Sequence, residues 1–439
     1  MLGYISIFIG MAIVMILMMR NWSPLIVGIV AAAVVIVLNG LPYSETMSNT
    51  YFVKFCDMFQ ALFPAIFSGS LLAQVFNRSG AVITIADKMA NAMFREGSSQ
   101  TQKYISAILA LIAVSGIVCY CGMNSLVTLI ATYPIALRIM ERADIPKRFV
   151  MGILTCGVYT FAMTGPGSAE IVNILAMQIL GTPSYSGFYG GIVAIIVEIF
   201  VTTSLLTLMI KNDVKRGAKF EYGSKDLLPI EDKPRPGFMK AFAPLLLLLL
   251  LFNFFALDIF TATMISWIVS VILFYPYLGG MSELKESVSI GGKMAFIPTG
   301  SVASIVGFTA VVQTLPEFQS MIDGIFNLNV PVGFILILSV CLIAAITGSS
   351  SSSIRIAVPL VMERCQEAGL SLAYIHRVSC FASSIIDELP WSSAVIINMD
   401  IADLKLKDGY PPIFVSSCVA TLCGTAVCAI FMQLFPYLP

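Results

Sequence analysis

The stretch TGSSSSSIR, residues 347–355, is a polar run in one of the most apolar parts of the chain. Residues 333–346 before it are almost wholly apolar, and residues 356–362 after it are apolar again. Each apolar arm is shorter than the roughly 20 residues that a helix needs to cross a bilayer. Irregular backbone is tolerated at membrane depth only where protein or a water-filled cavity satisfies it. The pattern therefore predicts a re-entrant hairpin whose polar tip lines a substrate or ion site.

Composition indicates an all-α polytopic membrane protein in a lipid bilayer. The 439-residue chain is 58% hydrophobic and only 11% charged, whereas soluble domains carry about 25% charged residues. Its 25 basic and 25 acidic residues balance, which gives no basis for a nucleic-acid partner. The ten cysteines are scattered without paired spacing, and there is one histidine. We therefore expect no metal site and no cofactor.

The apolar windows divide the chain into two halves with the same order of parts. Each half is predicted to hold three spans, an interfacial amphipathic helix, a re-entrant hairpin, a span broken in its middle and a closing span. The first half is residues 1–210, with scaffold spans in 1–77 and transport elements in 104–210. Because five spans per half is an odd number, the second half is expected to be inverted in the membrane.

A basic linker, residues 211–240, separates the halves. The second half is residues 241–439, with scaffold spans in 241–313 and transport elements in 330–439. The linker carries eight Lys and Arg residues, whereas residues 39–53, interpreted as a loop, carry none. Since positive charge favours the cytoplasmic side, the linker is predicted to be cytoplasmic and both termini outside. A stretch at 81–94 is predicted to lie along the interface.

The first half contains two interruptions that match those of the second. Residues 119–125 (CYCGMNS) are predicted to be the tip of hairpin one, or else a flexible turn between two ordinary helices. Residues 164–168 (TGPGS) interrupt the next span. Glycine frees the backbone and proline removes a donor, so the helix stops and restarts here. The restarted half-helix would aim its amides at a ligand; the alternative is a plain proline kink.

The second half has an acidic interruption at residues 387–393 (DELPWSS). A charge near the middle of a membrane costs about 2.5 to 3.5 kcal/mol on insertion scales, so Asp387 and Glu388 need partners, water or protons. Either acid is thus a candidate proton carrier or sodium ligand. Arg355 has two alternative roles, as a clamp for an anionic substrate or as a structural partner of these acids. His376 and Arg377 are expected to mark the outer end of the broken span.

The candidate substrate-binding residues are the polar and glycine positions of these four interruptions, together with one asparagine a turn or two beyond the first break. They are Gly122, Asn124, Ser125, Thr164, Gly165, Gly167, Ser168, Asn173, Gly348, Ser349, Ser350, Ser351, Ser352, Arg355, Ser392 and Ser393. Asp387 and Glu388 are the candidate ion-coupling residues. The serine run lacks a neighbouring base and no phosphate-binding loop is present, so an enzyme is not expected.

At these interruptions the sequence resembles the gluconate permease family of gluconate:proton symporters, within the wider ion transporter superfamily. The resemblance is carried by residues 133–136 (YPIA), 145–148 (IPKR), 160–168 (TFAMTGPGS), Asn173, 387–390 (DELP) and 394–396 (AVI). Two departures are Trp391, where such permeases commonly have histidine, and Arg355. The resemblance implies a homodimeric, elevator-type carrier in the bacterial cytoplasmic (inner) membrane.

The leading hypothesis is uptake of a small organic anion, a hydroxy or sugar acid, coupled to protons or sodium. Hairpin hydroxyls and half-helix amides would hold the substrate, and Asp387 or Glu388 would carry the coupling ion. The alternative is a cation:proton antiporter of the same superfamily, in which the acids bind sodium and no organic substrate exists. The absence of an aspartate from the first half's break argues mildly against the antiporter.

Overall fold

The computed structural model describes most of the chain as helix. The described residues are 2–20, 22–81, 83–85, 87–88, 99–122, 125–223, 234–255, 257–318, 320, 324, 328–390 and 392–438. Within these ranges the secondary structure is helical, without strands. Six of the helices in this part are long and apolar enough to cross a membrane. The all-α polytopic membrane fold expected from composition is therefore confirmed.

The first half runs from α1 to α8. Its helices are α1 (Leu2–Met19), α2 (Pro24–Leu38), α3 (Tyr43–Arg78), α4 (Gln100–Tyr120), α5 (Ser125–Ala143), α6 (Val150–Thr155, continued by the π-helix Cys156–Ala162), α7 (Ile171–Leu180) and α8 (Phe188–Lys215). A short 3-10 turn, Lys147–Phe149, precedes α6.

The second half runs from α9 to α16 in the same order. Its helices are α9 (Phe238–Asn253), α10 (Ile259–Phe274), α11 (Met281–Gln313), α12 (Val332–Thr347), α13 (Ser350–Glu367), α14 (Leu372–Ser383), α15 (Ser393–Ala402) and α16 (Leu406–Leu434). A 3-10 turn, Tyr275–Tyr277, follows α10, and α16 contains a π-helical segment, Phe414–Val419.

The order of helices bears out the sequence pattern in outline, and it places four interruptions in the chain. We call the α4–α5 pair hairpin one, the α12–α13 pair hairpin two, residues 163–170 break one and residues 384–392 break two. Residues 39–53 are not the loop that we expected, because α3 begins at Tyr43. Most of the interfacial stretch at 81–94 lies outside the described residues. Inversion of the halves and the domain boundaries stay predictions.

Some of the predicted scaffold helices share a second apolar cluster. Buried side chains from α1, α2, the start of α3 and the end of α11, among them Ile7, Val35 and Phe308, form a cluster separate from the main core. One polar contact ties three of these helices together. The Tyr51 and Ser304 hydroxyls lie 2.6 Å apart, and Ser304 donates to the Leu25 carbonyl oxygen at 2.6 Å. The contact satisfies polar groups that lipid cannot hydrogen-bond.

Helices α2 and α11 approach each other closely where Gly28 faces Ser304. A methyl group added at Gly28 would lie 2.5 Å from the Ser304 carbonyl oxygen, which belongs to the backbone and cannot rotate away. In contrast, a methyl group at Gly292, also within α11, would make an ordinary contact at 3.5 Å with the Phe67 ring. The absence of a side chain at Gly28 therefore sets the spacing of the scaffold helices.

We expect Gly28→Ala to destabilise the protein by about 1–3 kcal/mol, because overpacking forces the two helices apart. The matched control, Gly292→Ala, should be neutral or slightly stabilising, since alanine favours a helix over glycine by up to about 1 kcal/mol. Thermal unfolding of the purified variants in detergent measures the difference. Equal melting temperatures for the two variants would contradict the assigned close approach.

Candidate functional site

Break one is held in place by a buried arginine from the second half. Arg377 on α14 is fully buried. Its guanidinium donates to the carbonyl oxygens of Thr164 at 2.7 Å, Ser186 at 2.9 Å and Ser184 at 3.1 Å. Thr164 lies at the C-terminal end of the α6 half-span, where carbonyls lack helical partners and the helix dipole is negative. A cation is therefore well placed to close this helix end.

Asn173 joins Arg377 and His376 into one network. Its Oδ1 accepts hydrogen bonds from Arg377 Nη2 at 3.2 Å and from His376 Nε2 at 2.9 Å, while its Nδ2 donates to the Ser168 carbonyl at 2.8 Å. His376 Nδ1 lies 2.6 Å from the Thr182 hydroxyl. Because the Asn173 oxygen can only accept, a proton is assigned to His376 Nε2.

His376 and Arg377 have partners that the sequence did not indicate. Both side chains are fully buried, and both connect α14 to the first half of the chain. Asn173, which we expected to line the site, is also fully buried and has both ends of its amide engaged. The position of His376 and Arg377 at the outer end of the broken span, and the lining role of Asn173, stay predictions.

Hairpin one and break one form a single unit. The Tyr120 carbonyl at the end of α4 accepts from the Ala169 amide at 3.0 Å, and the Tyr120 hydroxyl donates to the Pro166 carbonyl. Gly122 follows with φ of 92°, a conformation that favours glycine. A methyl group there would lie 3.3 Å from Ala169 Cβ. Asn124 lies outside the described residues, and Ser125 starts α5.

Hairpin two meets break two in a similar way. The α12 helix ends at Gly348, whose φ is 59°, and Ser349 caps α13 by accepting from the Ser352 amide at 3.4 Å. The serine run is therefore mostly the first turn of a helix, not the irregular loop that we expected. The Ser350 hydroxyl donates to Asp387 Oδ2 in break two. Within the run, Ser352 contacts the Ser349 hydroxyl at 3.2 Å.

The two acids of break two are buried, and each is only partly satisfied. Glu388 Oε2 accepts from the Ser417 hydroxyl in the π-helical segment of α16. Asp387 Oδ1 and Glu388 Oε1 are buried and have no hydrogen-bond partner among the described residues. Oxygens that are left unsatisfied in this way are suited to bind a proton or a small cation. Ser392 is buried beside them, and the Ser393 side chain lies outside the described part of the structure.

Arg355 does not neutralise the acids in this conformation. In the described part of the chain, no ion pair within 4.0 Å joins Arg355 to Asp387 or Glu388. Arg355 is half-buried on α13, and Ser351, one turn before it, is also half-buried. The structural pair is therefore not observed, which leaves Arg355 available for another partner.

Sequence reasoning missed a third acid, Glu170. A cavity of about 60 Å³ lies between hairpin one and the scaffold, and it is lined by Gly122, Ser125, Glu170, Ala65 on α3 and Ile259 on α10. Glu170 accepts from the Val172 amide at 2.8 Å and caps α7. One of the half-helix amides that we expected to hold a substrate, that of Val172, thus already donates to a carboxylate of the protein. An acid directly after the glycine-proline break was a signal available in the sequence.

The structure brings most of the predicted site residues to one region, where both hairpins and both breaks meet. Two hydrogen bonds join the two halves there. Arg377 donates to the Thr164 carbonyl, and the Thr160 hydroxyl donates to the Ser416 carbonyl at 3.1 Å. Gly165, Gly167 and Ser168 lie in break one, where Ser168 Oγ accepts from the Glu170 amide at 3.1 Å. These contacts leave their substrate-binding role a prediction.

Comparisons with known proteins find transporters of similar sequence and fold. Models of known protein families give no match to this chain. It is 23% identical to the uncharacterised transporter YxjC of Bacillus subtilis, over 97% of this chain and 98% of that protein. It is 24% identical to an uncharacterised transporter of Haemophilus influenzae, over 78% of this chain and 79% of the other.

A solved structure shows the same fold at lower identity. The crystal structure of the Alcanivorax borkumensis YdaH transporter, described as having an unusual topology, superposes with a TM-score of 0.51. The match covers 87% of this chain and 88% of the other at 14% identity. The chain has the fold of a membrane transporter. None of the three similar proteins is named for gluconate, so the resemblance to gluconate permeases stays a prediction.

We expect Arg377→Lys to lower the unfolding free energy by about 3 kcal/mol or more, because an ammonium group cannot reach four oxygens arranged around a planar guanidinium. Arg216→Lys, a change of the same chemistry at an exposed position just after α8, should have almost no effect. Thermal unfolding of both variants tests the difference. If Arg377→Lys and the wild type unfold at the same temperature, the arginine network does not hold break one.

Proposed function

We propose that the protein is a secondary active transporter that takes up a small organic anion, a hydroxy or sugar acid, together with a proton or sodium ion. The observation that carries the proposal is the pair of buried acids in break two. Each acid has one oxygen bonded to a serine from another element and one oxygen without a hydrogen-bond partner among the described residues. A cation bound there would offset the cost of burying the charge.

The anion itself needs donors that the protein does not use internally. The Glu170 carboxylate occupies the start of α7 and accepts from the Val172 amide, so the substrate carboxylate is better placed at the two hairpin tips. Ser125 lines the cavity at the start of α5, and Ser351 lies half-buried in the first turn of α13. Helix N-termini favour anions. Arg355 lies one turn further along α13 and forms no ion pair with Asp387 or Glu388 in the described structure. It would then serve as the anion clamp.

The movement that we propose for this transporter is of the elevator type. Helices α1 and α2, the start of α3 and the end of α11 share an apolar cluster, whereas α9, α10 and the rest of α3 pack into the main core with the hairpins and breaks. The cavity lies on the boundary between these parts, because α3 and α10 line one side and hairpin one the other. We propose the scaffold as the stationary part of a homodimer in the bacterial inner membrane, with the linker cytoplasmic and both termini outside.

Glu170 favours a second candidate function, a cation:proton antiporter. A carboxylate in the cavity repels an organic anion unless a cation or proton neutralises it. Three acids near the two breaks would suit a carrier whose only substrates are cations. Proteoliposomes separate the two functions: a panel of labelled hydroxy acids is compared with a sodium-driven change of internal pH. The proposal predicts accumulation of at least one acid, and sodium-driven proton movement without any organic uptake would overturn it.

We expect Asp387→Asn to uncouple transport, because the amide removes the charge that a coupling ion would neutralise. Uptake should lose its dependence on the imposed ion gradient, while exchange of substrate across the membrane continues. The measurement is uptake into proteoliposomes with and without the gradient. An unchanged dependence on the gradient would remove Asp387 from the coupling role.

Two neighbouring serines provide a matched pair for the same assay. Ser350→Ala removes the donor to Asp387. The ion concentration that gives half-maximal uptake should therefore shift by roughly tenfold, which corresponds to a change of about 1.4 kcal/mol in the free energy of ion binding. Ser351→Ala should leave the ion dependence unchanged and raise the substrate KM. Identical ion dependence in the two variants would contradict the assigned Ser350–Asp387 coupling.

A further inference from the structure

A fourth buried acid, Glu198, lies outside the breaks and is not used by the proposed function. It is in α8, ten residues after the helix begins at Phe188, and its side chain is fully buried. One carboxyl oxygen, Oε1, has no hydrogen-bond partner among the described residues. The surrounding span is strongly apolar. An acid in the interior of such a span needs a specific partner.

The only hydroxyl bonded to Glu198 in the described structure cannot serve it fully. Thr164 Oγ1 lies 3.5 Å from Glu198 Oε2, but it also lies 2.6 Å from the Thr160 carbonyl oxygen. A hydroxyl has a single hydrogen, and the shorter contact takes it. The Thr164 oxygen then remains as an acceptor facing Glu198. A carboxyl group that carries a proton can donate to that oxygen, whereas an ionised carboxylate cannot.

The packing around Glu198 also favours a proton over a metal ion. A methyl group at Gly424 on α16 would lie 2.6 Å from Glu198 Oε1, so the helices are in close contact there. In the part of the chain that is described, the titratable groups that interact with Glu198 are two thiols, Cys156 on α6 and Cys428 on α16. No cationic side chain forms an ion pair with it in the same part. A proton needs one acceptor, whereas a metal cation needs several oxygens.

We propose that Glu198 is a proton-binding carboxyl group that communicates with break one through the Thr164 hydroxyl. With Glu198 protonated, its O–H donates to Thr164, and Thr164 donates to the Thr160 carbonyl. When the proton leaves to water, Thr164 turns its hydrogen to the carboxylate and releases that carbonyl. Because Arg377 holds the carbonyl of the same Thr164 at 2.7 Å, the exchange acts on the end of the α6 half-span. The coupling to transport rests on the proposed function, but proton binding does not.

Infrared spectroscopy of the reconstituted protein tests the proton directly, without any substrate. At neutral pH the wild type should show a protonated-carboxyl C=O band that is missing in Glu198→Gln. Glutamine keeps the shape of the side chain, and its amide can donate to Thr164, so the variant should fold. Glu363→Gln, at an exposed position on α13, is the matched control and should leave the band unchanged.

Thr164→Val provides a second measurement that does not require replacing Glu198. Removing the acceptor should move the wild-type band to higher frequency, since the carboxyl O–H loses its hydrogen bond. If Glu198→Gln leaves the band intact, or Thr164→Val leaves its frequency unchanged, Glu198 does not hold the proton as assigned. Failure of organic-acid uptake would instead overturn the proposed function and leave the infrared result standing.

Discussion

The site depends on one buried cation that has no acidic partner among the described residues. Arg377 is surrounded by three backbone carbonyls and the Asn173 amide oxygen, so its charge is compensated by dipoles instead of a carboxylate. This compensation requires the helices to be interrupted twice, at break one and again at residues 184–186. Inside a helix the carbonyl oxygens accept from the helix's own amides, whereas at an interruption they can accept from a side chain. The arginine and the break therefore stabilise each other, and each would be costly alone.

The two halves repeat the same architecture but stabilise their breaks by opposite chemistry. Break one is closed by a cation and by the hydroxyl of Tyr120, whereas break two presents two carboxyl groups to the hydroxyls of Ser350 and Ser417. The positive element thus comes from the second half and acts on the first. This contact couples the halves, since break one does not keep its geometry when the second half moves as an independent unit.

The interruptions could be predicted because their causes are local. Glycine, proline and paired acids within an apolar span mark a helix break wherever they occur. The function of Arg377 could not be predicted, because its partners lie 191 to 213 residues away along the chain. Glu198 could have been singled out from the sequence, because it is a lone acid inside an apolar span. Glu170 could have been singled out as well, because it is an acid directly after the glycine-proline break. The start of α3 at Tyr43 was missed because its first turns are polar.

The hydrogen bond between Ser350 and Asp387 affects how readily the empty site could move without a bound ion. Hairpin two cannot swing away from break two without removing the only side-chain donor that Asp387 has among the described residues. In the proposed transporter, an empty site with Asp387 ionised would then hold an unpaired charge in a dry interior, a state disfavoured by several kcal/mol. A bound cation would remove this penalty. Under that proposal, Ser350 would act as an interlock that makes movement without the driving ion rare.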